Sequence, residues 1–196
     1  MRKLMIAAIA VVGISATGLA QQQVKFGPKA GINLATLSGD DNSELKIGFH
    51  IGAVAEIKFN DKFSLQPELL YSTQGAKSKL IEDIKLNSDY INIPIMFKYY
   101  LVEGFSVEAG PQVGFLMKSE MTDGDSSVDM KDYYKSVDFG LGFGLAYDLP
   151  QGLFVNARYN LGLSKVGEEQ DFGDVTIEAA DIKNSVIQIG IGYKFD

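Results

Sequence analysis

The sequence predicts an all-β fold: an eight-stranded antiparallel up-and-down transmembrane β-barrel with short periplasmic turns and longer extracellular loops. Three observations carry that expectation. Eight stretches alternate in hydropathy with the period of 2 that a two-faced strand requires. Their connections alternate between short and long. The second face is rich in Gly, where a watered sheet face would carry Lys, Glu and Thr.

The first element is a leader. "MRKLMIAAIAVVGISATGLA" has Arg2 and Lys3, an apolar run from Leu4 to about Ile14, and the small residues Gly18 and Ala20. That is the layout of a secretory signal peptide cleaved after Ala20. The run is shorter than the ~20 residues a membrane helix needs. Residues 1–20 are therefore expected to be removed, and residues 21–196 to form one barrel domain. The formal net charge of −7 becomes more negative when Arg2 and Lys3 leave. An acidic chain with pI ≈ 4.8 speaks against nucleic acid as a partner. With no Cys, the chain has no disulfides, thiol catalysis or thiolate metal sites.

Strands are expected at about 24–38, 45–59, 63–77, 87–101, 105–119, 135–149, 153–166 and 182–195. The first two set Gly27, Gly31, Gly48 and Gly52 on one face. The fourth is the clearest: Ile91, Ile93, Ile95, Phe97, Tyr99 and Leu101 oppose Asn92, Pro94, Met96, Lys98 and Tyr100. In the sixth, Val137, Phe139, Leu141, Phe143, Leu145, Tyr147 and Leu149 oppose a row holding Gly140, Gly142, Gly144 and Asp148. The eighth repeats the pattern, with Ile187, Ile189, Ile191, Tyr193 and Phe195 against Gln188, Gly190, Gly192 and Lys194.

Short links "NDK", "VEG" and "PQG" alternate with the longer polar "SGDDNSE", "SKLIEDIK", "EMTDGDSSVDMKDYY" and "GEEQDFGDVTIEAAD". Short periplasmic turns and long outer loops are the outer-membrane arrangement. A lipocalin-type barrel would turn the greasy face inward. A water-facing Gly row would pack nothing, whereas inside a narrow barrel Gly makes room for long polar side chains. The greasy face is therefore assigned to lipid. Phe26, Phe59, Phe63, Tyr99, Phe105, Tyr147, Tyr193 and Phe195 fall near the short-turn ends, as an aromatic girdle requires, with Phe49, Tyr71 and Phe115 at the other end.

The inward row then holds Lys29, His50, Glu56, Lys58, Glu68, Lys98, Glu108, Asp138, Arg158 and Lys194. Buried charges must pair, so Lys29, Glu56, Glu68, Lys98, Glu108, Asp138, Arg158 and Lys194 are read as an ion network filling the lumen. Lys98 is expected opposite Glu108, and Glu68 level with Arg158. Gln188, Gly190, Tyr193 and Phe195 match the C-terminal signal by which barrel-assembly machinery recognises outer-membrane barrels, although Asp196 follows the last aromatic.

"FGPKAGINLATLSGD", "LQPELLYSTQGAK", "YINIPIMFKYY" and "VEAGPQVGFLMKSE" resemble the outer-membrane β-barrel domain family of Bacteroidota, the porin-family or PorT-like proteins. The resemblance covers essentially the whole mature chain and implies an outer-membrane location. For PorT-like relatives it implies a tie to protein secretion.

His50 is the only His and has no serine motif beside it, so the expected role is non-enzymatic and no catalytic residue is assigned. Asp123, Asp125, Asp129 and Asp132 offer oxygens that suit Ca²⁺ but lack EF-hand spacing, so the loop is read as solvated, with no metal site and no cofactor. The expected partners are outer-membrane lipid, the assembly machinery and a protein at the extracellular loops, for a monomeric barrel. A small-solute channel and a PorT-like secretion component stand as alternatives.

Overall fold

Each alternating stretch becomes one strand of a single sheet that closes on itself. The computed structural model describes residues 23–81, 83–168, 170–171, 176–177 and 181–195. Its long strands are β1 (Gln23–Ser38), β2 (Lys46–Lys58), β3 (Phe63–Ser78), β4 (Lys85–Val102), β5 (Phe105–Thr122), β6 (Val137–Asp148), β7 (Leu153–Gly162) and β8 (Lys183–Tyr193). Sequence neighbours pair antiparallel, and β8 returns to β1 with Gly192 opposite Lys29 and Lys183 opposite Ser38, which closes the barrel. The expected leader lies outside the described residues.

The expected strands match within a few residues, except at the top of β7. It ends at Gly162, short of residue 166, because Ser164 replaces the ladder: its hydroxyl oxygen accepts the Phe139 N–H at 2.8 Å. β8 stops at Tyr193, yet Phe195 still bridges Phe26.

Burial follows the period of 2. In β4, Asn92, Met96, Lys98 and Tyr100 are buried, whereas Phe97, Tyr99 and Leu101 are exposed on the outer face. Glycine on the inner face answers a spatial need. A Cβ on Gly190 would stand 2.6 Å from Asn156 Oδ1, and one on Gly142 would stand 2.8 Å from Asn160 Oδ1. Outward rings gather at the short-turn end, where Phe63–Tyr99 and Tyr193–Phe195 are each 5.0 Å apart and Phe26–Phe195 is 6.2 Å.

The wall is uneven in height. β3, β4 and β5 run 16, 18 and 18 residues, while β6, β7 and β8 run 12, 10 and 11. Crossing a bilayer needs ~9–11 residues, so the β3–β5 wall projects. Its outer face marks where: the level Tyr71–Ile91–Phe115 is apolar, the next level is Thr73–Asp89–Lys118, and the rim is Lys77–Lys85–Thr122. A bulge helps make that switch. Asp89 faces Lys118 while Tyr90 faces Leu116, so the upper end of β5 changes phase. Lys118 turns outward and Ser119 is buried inside. Two short strands, Ser43–Glu44 on β3 and Ser127–Asp129 on β5, widen the projecting sheet. At the long-loop end Leu37, Ala76, Leu86 and Val166 pack with Tyr134 and Ile182, an apolar cap over that mouth.

Candidate functional site

Inward side chains of a tilted barrel stack in layers, each supplied by alternate strands. Here two such layers are made of ions. The lower one, nearer the short turns, draws on the even strands: Glu56 from β2, Lys98 from β4, Asp148 from β6, and Lys194 just past β8. Lys98 Nζ lies 3.5 Å from Glu56 Oε1 and 3.2 Å from Asp148 Oδ2. Lys194 Nζ lies 2.5 Å from Glu56 Oε2 and 2.6 Å from Asp148 Oδ1. Charges therefore alternate around a ring. The Tyr100 hydroxyl stands between the two acids, 2.5 Å from Glu56 Oε1 and from Asp148 Oδ2, and Ser64 donates to Glu56 Oε1 at 2.6 Å.

The upper layer draws on the odd strands: Lys29 from β1, Glu68 from β3, Glu108 from β5 and Arg158 from β7. Arg158 Nε donates to Glu108 Oε1 at 2.8 Å. Its Nη2 and Nη1 donate to Glu68 Oε1 and Oε2 at 2.8 and 3.1 Å, a bidentate pair. Lys29 Nζ reaches Glu68 Oε2 at 3.0 Å. Since β3 and β7 are opposite walls, Arg158 spans the lumen. Gln66 ties the layers together, donating to Glu68 at 2.8 Å and accepting from Lys98 at 3.5 Å. Each layer balances two acids with two bases. That balance matters because a buried ion is tolerable only when paired and hydrogen-bonded.

The geometry corrects two expectations. Lys98 and Glu108 do oppose each other in register, yet they do not form an ion pair. They sit on adjacent strands and so belong to different layers. Asp138 lies outside the ion network: it accepts from the Ser164 hydroxyl at 2.5 Å and from Asn184 Nδ2 at 2.8 Å, nearer the cap. Lys58 lines the mouth below the ring, with its ammonium 4.7 Å from the centre of the Tyr100 ring. Sequence reasoning passed over Asp148 and Tyr100. Both share the inward parity of their strands, but they stand beside short turns and read as strand ends.

The only His in the sequence, His50, is fully buried, and its Nδ1 lies 2.8 Å from Asn33 Oδ1. Its Nε2 has no hydrogen-bond partner among the described residues. Among the described residues no serine or acid hydrogen-bonds to the ring. In the acidic loop, Asp123 accepts the Ser126 N–H at 2.8 Å and Asp129 accepts the Lys131 N–H at 2.9 Å, so both carboxylates brace their own turns. Of the residues read as an assembly signal, Gln188 is buried and donates to Asn33 Oδ1 at 3.1 Å, Gly190 faces the lumen, and Tyr193 and Phe195 face outward.

The lumen is open at one end only to a limited depth. Below the lower ring, a vestibule of about 960 Å³ opens between the short turns, lined by Lys62, Glu103, Tyr100, Asp148 and Lys194 among others. Nearer the cap a cavity of about 10 Å³, the size of one water, lies among Gln112, Asp138, Asn160 and Asn184.

Residues 19–168 match the family described as "Outer membrane protein beta-barrel domain". The fold is similar to the crystal structure of Neisserial surface protein A, with a TM-score of 0.61 and 15% identity over 88% of this chain and 99% of that one. Similarity extends to Ail, the attachment invasion locus protein of Yersinia pestis, solved with the heparin analogue sucrose octasulfate: TM-score 0.52, 16% identity, 88% and 99% coverage. The outer membrane protein AlkL gives a TM-score of 0.50 and 14% identity over 89% of this chain and 91% of that one. A search of curated proteins finds no match.

Proposed function

Since the chain belongs to the outer membrane protein β-barrel domain family, we propose that it works in the outer membrane as a closed, non-enzymatic barrel. In this reading it displays its projecting sheet and loops to a partner outside the cell. One observation carries it: the Arg158 guanidinium reaches from β7 to Glu68 on the opposite wall, with Lys29 and Glu108 filling the same cross-section. An eight-stranded interior is only wide enough for its own side chains, and here those are paired ions. Opening a path would separate buried charges, which is costly.

The chemistry of the loops points to the kind of partner. In three of the four long loops Asp and Glu outnumber Lys and Arg, and in the fourth, "SKLIEDIK", they are equal in number. Ail was solved with a polyanion, but acidic loops favour a basic surface, so the partner proposed for this chain is a protein with a cationic face. Outer-membrane lipid covers the apolar outer row. Gln188, Gly190, Tyr193 and Phe195 serve the assembly machinery, and the barrel is a monomer.

Planar-bilayer recording tests the closed lumen. The expected trace is quiet at moderate voltage. Steady, ion-selective current would overturn this reading in favour of a small-solute channel.

A further inference from the structure

The lower ring is assembled from the two sides of the barrel seam. Glu56, Lys98 and Asp148 belong to β2, β4 and β6, which the chain joins through one continuous meander. Lys194 follows β8, the strand that must find β1 before the barrel is closed. The same short segment is stitched to both neighbours: Lys194 N donates to Gly152 O, and Phe195 N donates to Phe26 O, each at 2.8 Å. Between those two bonds the Lys194 side chain passes 4.7 Å from the Phe154 ring and enters between the two carboxylates.

Asp148 lies on the same side of the seam as Lys194, two strands away, but Glu56 lies across it. Until the seam meets, Glu56 has only the ammonium of Lys98, which Asp148 also holds. A buried carboxylate so poorly paired is costly in a lumen that is losing its water. Docking of β8 on β1 brings Lys194 to Glu56, and the ring is complete at the moment the seam meets. Higher on the seam the side-chain contacts of β8 with β1 are neutral: Gln188 donates to Asn33 Oδ1 at 3.1 Å, and the Ser38 hydroxyl donates to Lys183 O at 3.2 Å. Lys194 also differs from Arg158, whose carboxylates on β5 and β3 both belong to the continuous meander, whereas Glu56 on β2 neighbours β8 only through β1 and the closed seam.

We propose that Lys194 is the latch of the barrel: its ammonium, seated between Glu56 and Asp148, couples neutralisation of the lumen ring to closure of the β8–β1 seam. The flanking aromatics Tyr193 and Phe195 face lipid and belong to the outer surface. The latch is the inward-facing residue between them.

The test is refolding of the urea-unfolded mature chain into phosphatidylcholine vesicles, with closure followed by the unboiled, compact band on a gel. Lys194→Met should slow closure about tenfold, because its interaction forms in the closing step. Lys98→Met removes the same charge from the same ring without touching the seam. It should slow closure less than about threefold and act mainly by hastening unfolding. Equal slowing by the two variants, or an effect of Lys194→Met on unfolding alone, would overturn the latch. If Lys194→Met does not close at all, adding Asp148→Asn restores charge balance. Recovery of the compact band supports the latch, and continued failure overturns it.

Discussion

Toward the short turns, the eight strands fill the lumen with Glu56, Lys98, Asp148 and Lys194, and then with Lys29, Glu68, Glu108 and Arg158. Toward the loops, the same strands present Asn33, Ser72, Gln74, Asn160 and Asn184, and finally Leu37, Ala76 and Leu86. Both halves are closed, but by different physics. The lower half depends on pairs whose members each carry a desolvated charge, so losing one partner strands another. Among the described residues the upper half holds no layer of ion pairs. It relies on hydrogen bonds, with Asp138 and Lys46 each bonded to neutral groups, and on apolar packing, where a loss is local and neighbours can adjust. Rigidity sits near the vestibule, and adaptability sits under the loops that face outward.

Arg158→Met should cost the most. It leaves Glu108 without its cation and Glu68 with Lys29 alone, a loss of about 3–5 kcal/mol, read as a lowered urea midpoint in vesicles. A drop under about 1 kcal/mol would mean the lower half is no more brittle than the upper.

The outer wall comes next. Ile189 is exposed on the lipid side of β8, one residue from Gly190 on the lumen side. Ile189→Arg should cost ~2–4 kcal/mol at mid-membrane by placing a charge in hydrocarbon. Unchanged stability in vesicles would contradict the lipid assignment of that row.

In the upper half, Leu86→Ala removes part of the apolar cap. The expected cost is about 2 kcal/mol, at the low end for a core leucine because the cluster is small. Faster hydrogen exchange should appear at the cap and spare the ion layers. Loosening that spread to β7 around Arg158 would show that the halves are coupled.

The smallest effect belongs to the exposed loop after β1. The Ser43 hydroxyl donates to Asp40 Oδ2 at 2.8 Å and the Asn42 N–H donates to Oδ1 at 3.0 Å, holding the Asp40 carboxyl below the usual range. A depressed acid contributes stability above its unfolded pKa of about 3.9, and the contribution fades as pH falls through the lower folded value. Protection of the Asn42 amide should therefore fall only in strong acid. Asp40→Ala should remove both the protection and its pH dependence.

The fold was legible because lipid imposes one rule on every strand: outward residues must be apolar, and the period of 2 does the rest. Parity also picked out Lys29, Glu56, Glu68, Lys98, Glu108, Arg158 and Lys194 as inward. It did not give their partners. Parity tells which face a side chain takes, whereas its height depends on strand tilt and stagger, which no single strand encodes. That is why Lys98 faces Glu108 across the ladder yet pairs with Glu56 and Asp148. The β4–β5 bulge at Asp89 and Tyr90 was likewise invisible, since one slipped residue leaves no compositional mark. The apolar cap escaped notice because Val166, Tyr134 and Ile182 come from irregular chain that meets only in three dimensions.

The Arg158–Glu68 ion pair spans the lumen and closes it. A double-mutant cycle with Arg158→Met, Glu68→Gln and the combined variant, followed by urea unfolding in vesicles, tests that pair directly. A coupling of at least about 1 kcal/mol is expected between these residues on opposite walls. Strictly additive losses would contradict it, because they would mean that Arg158 and Glu68 do not meet.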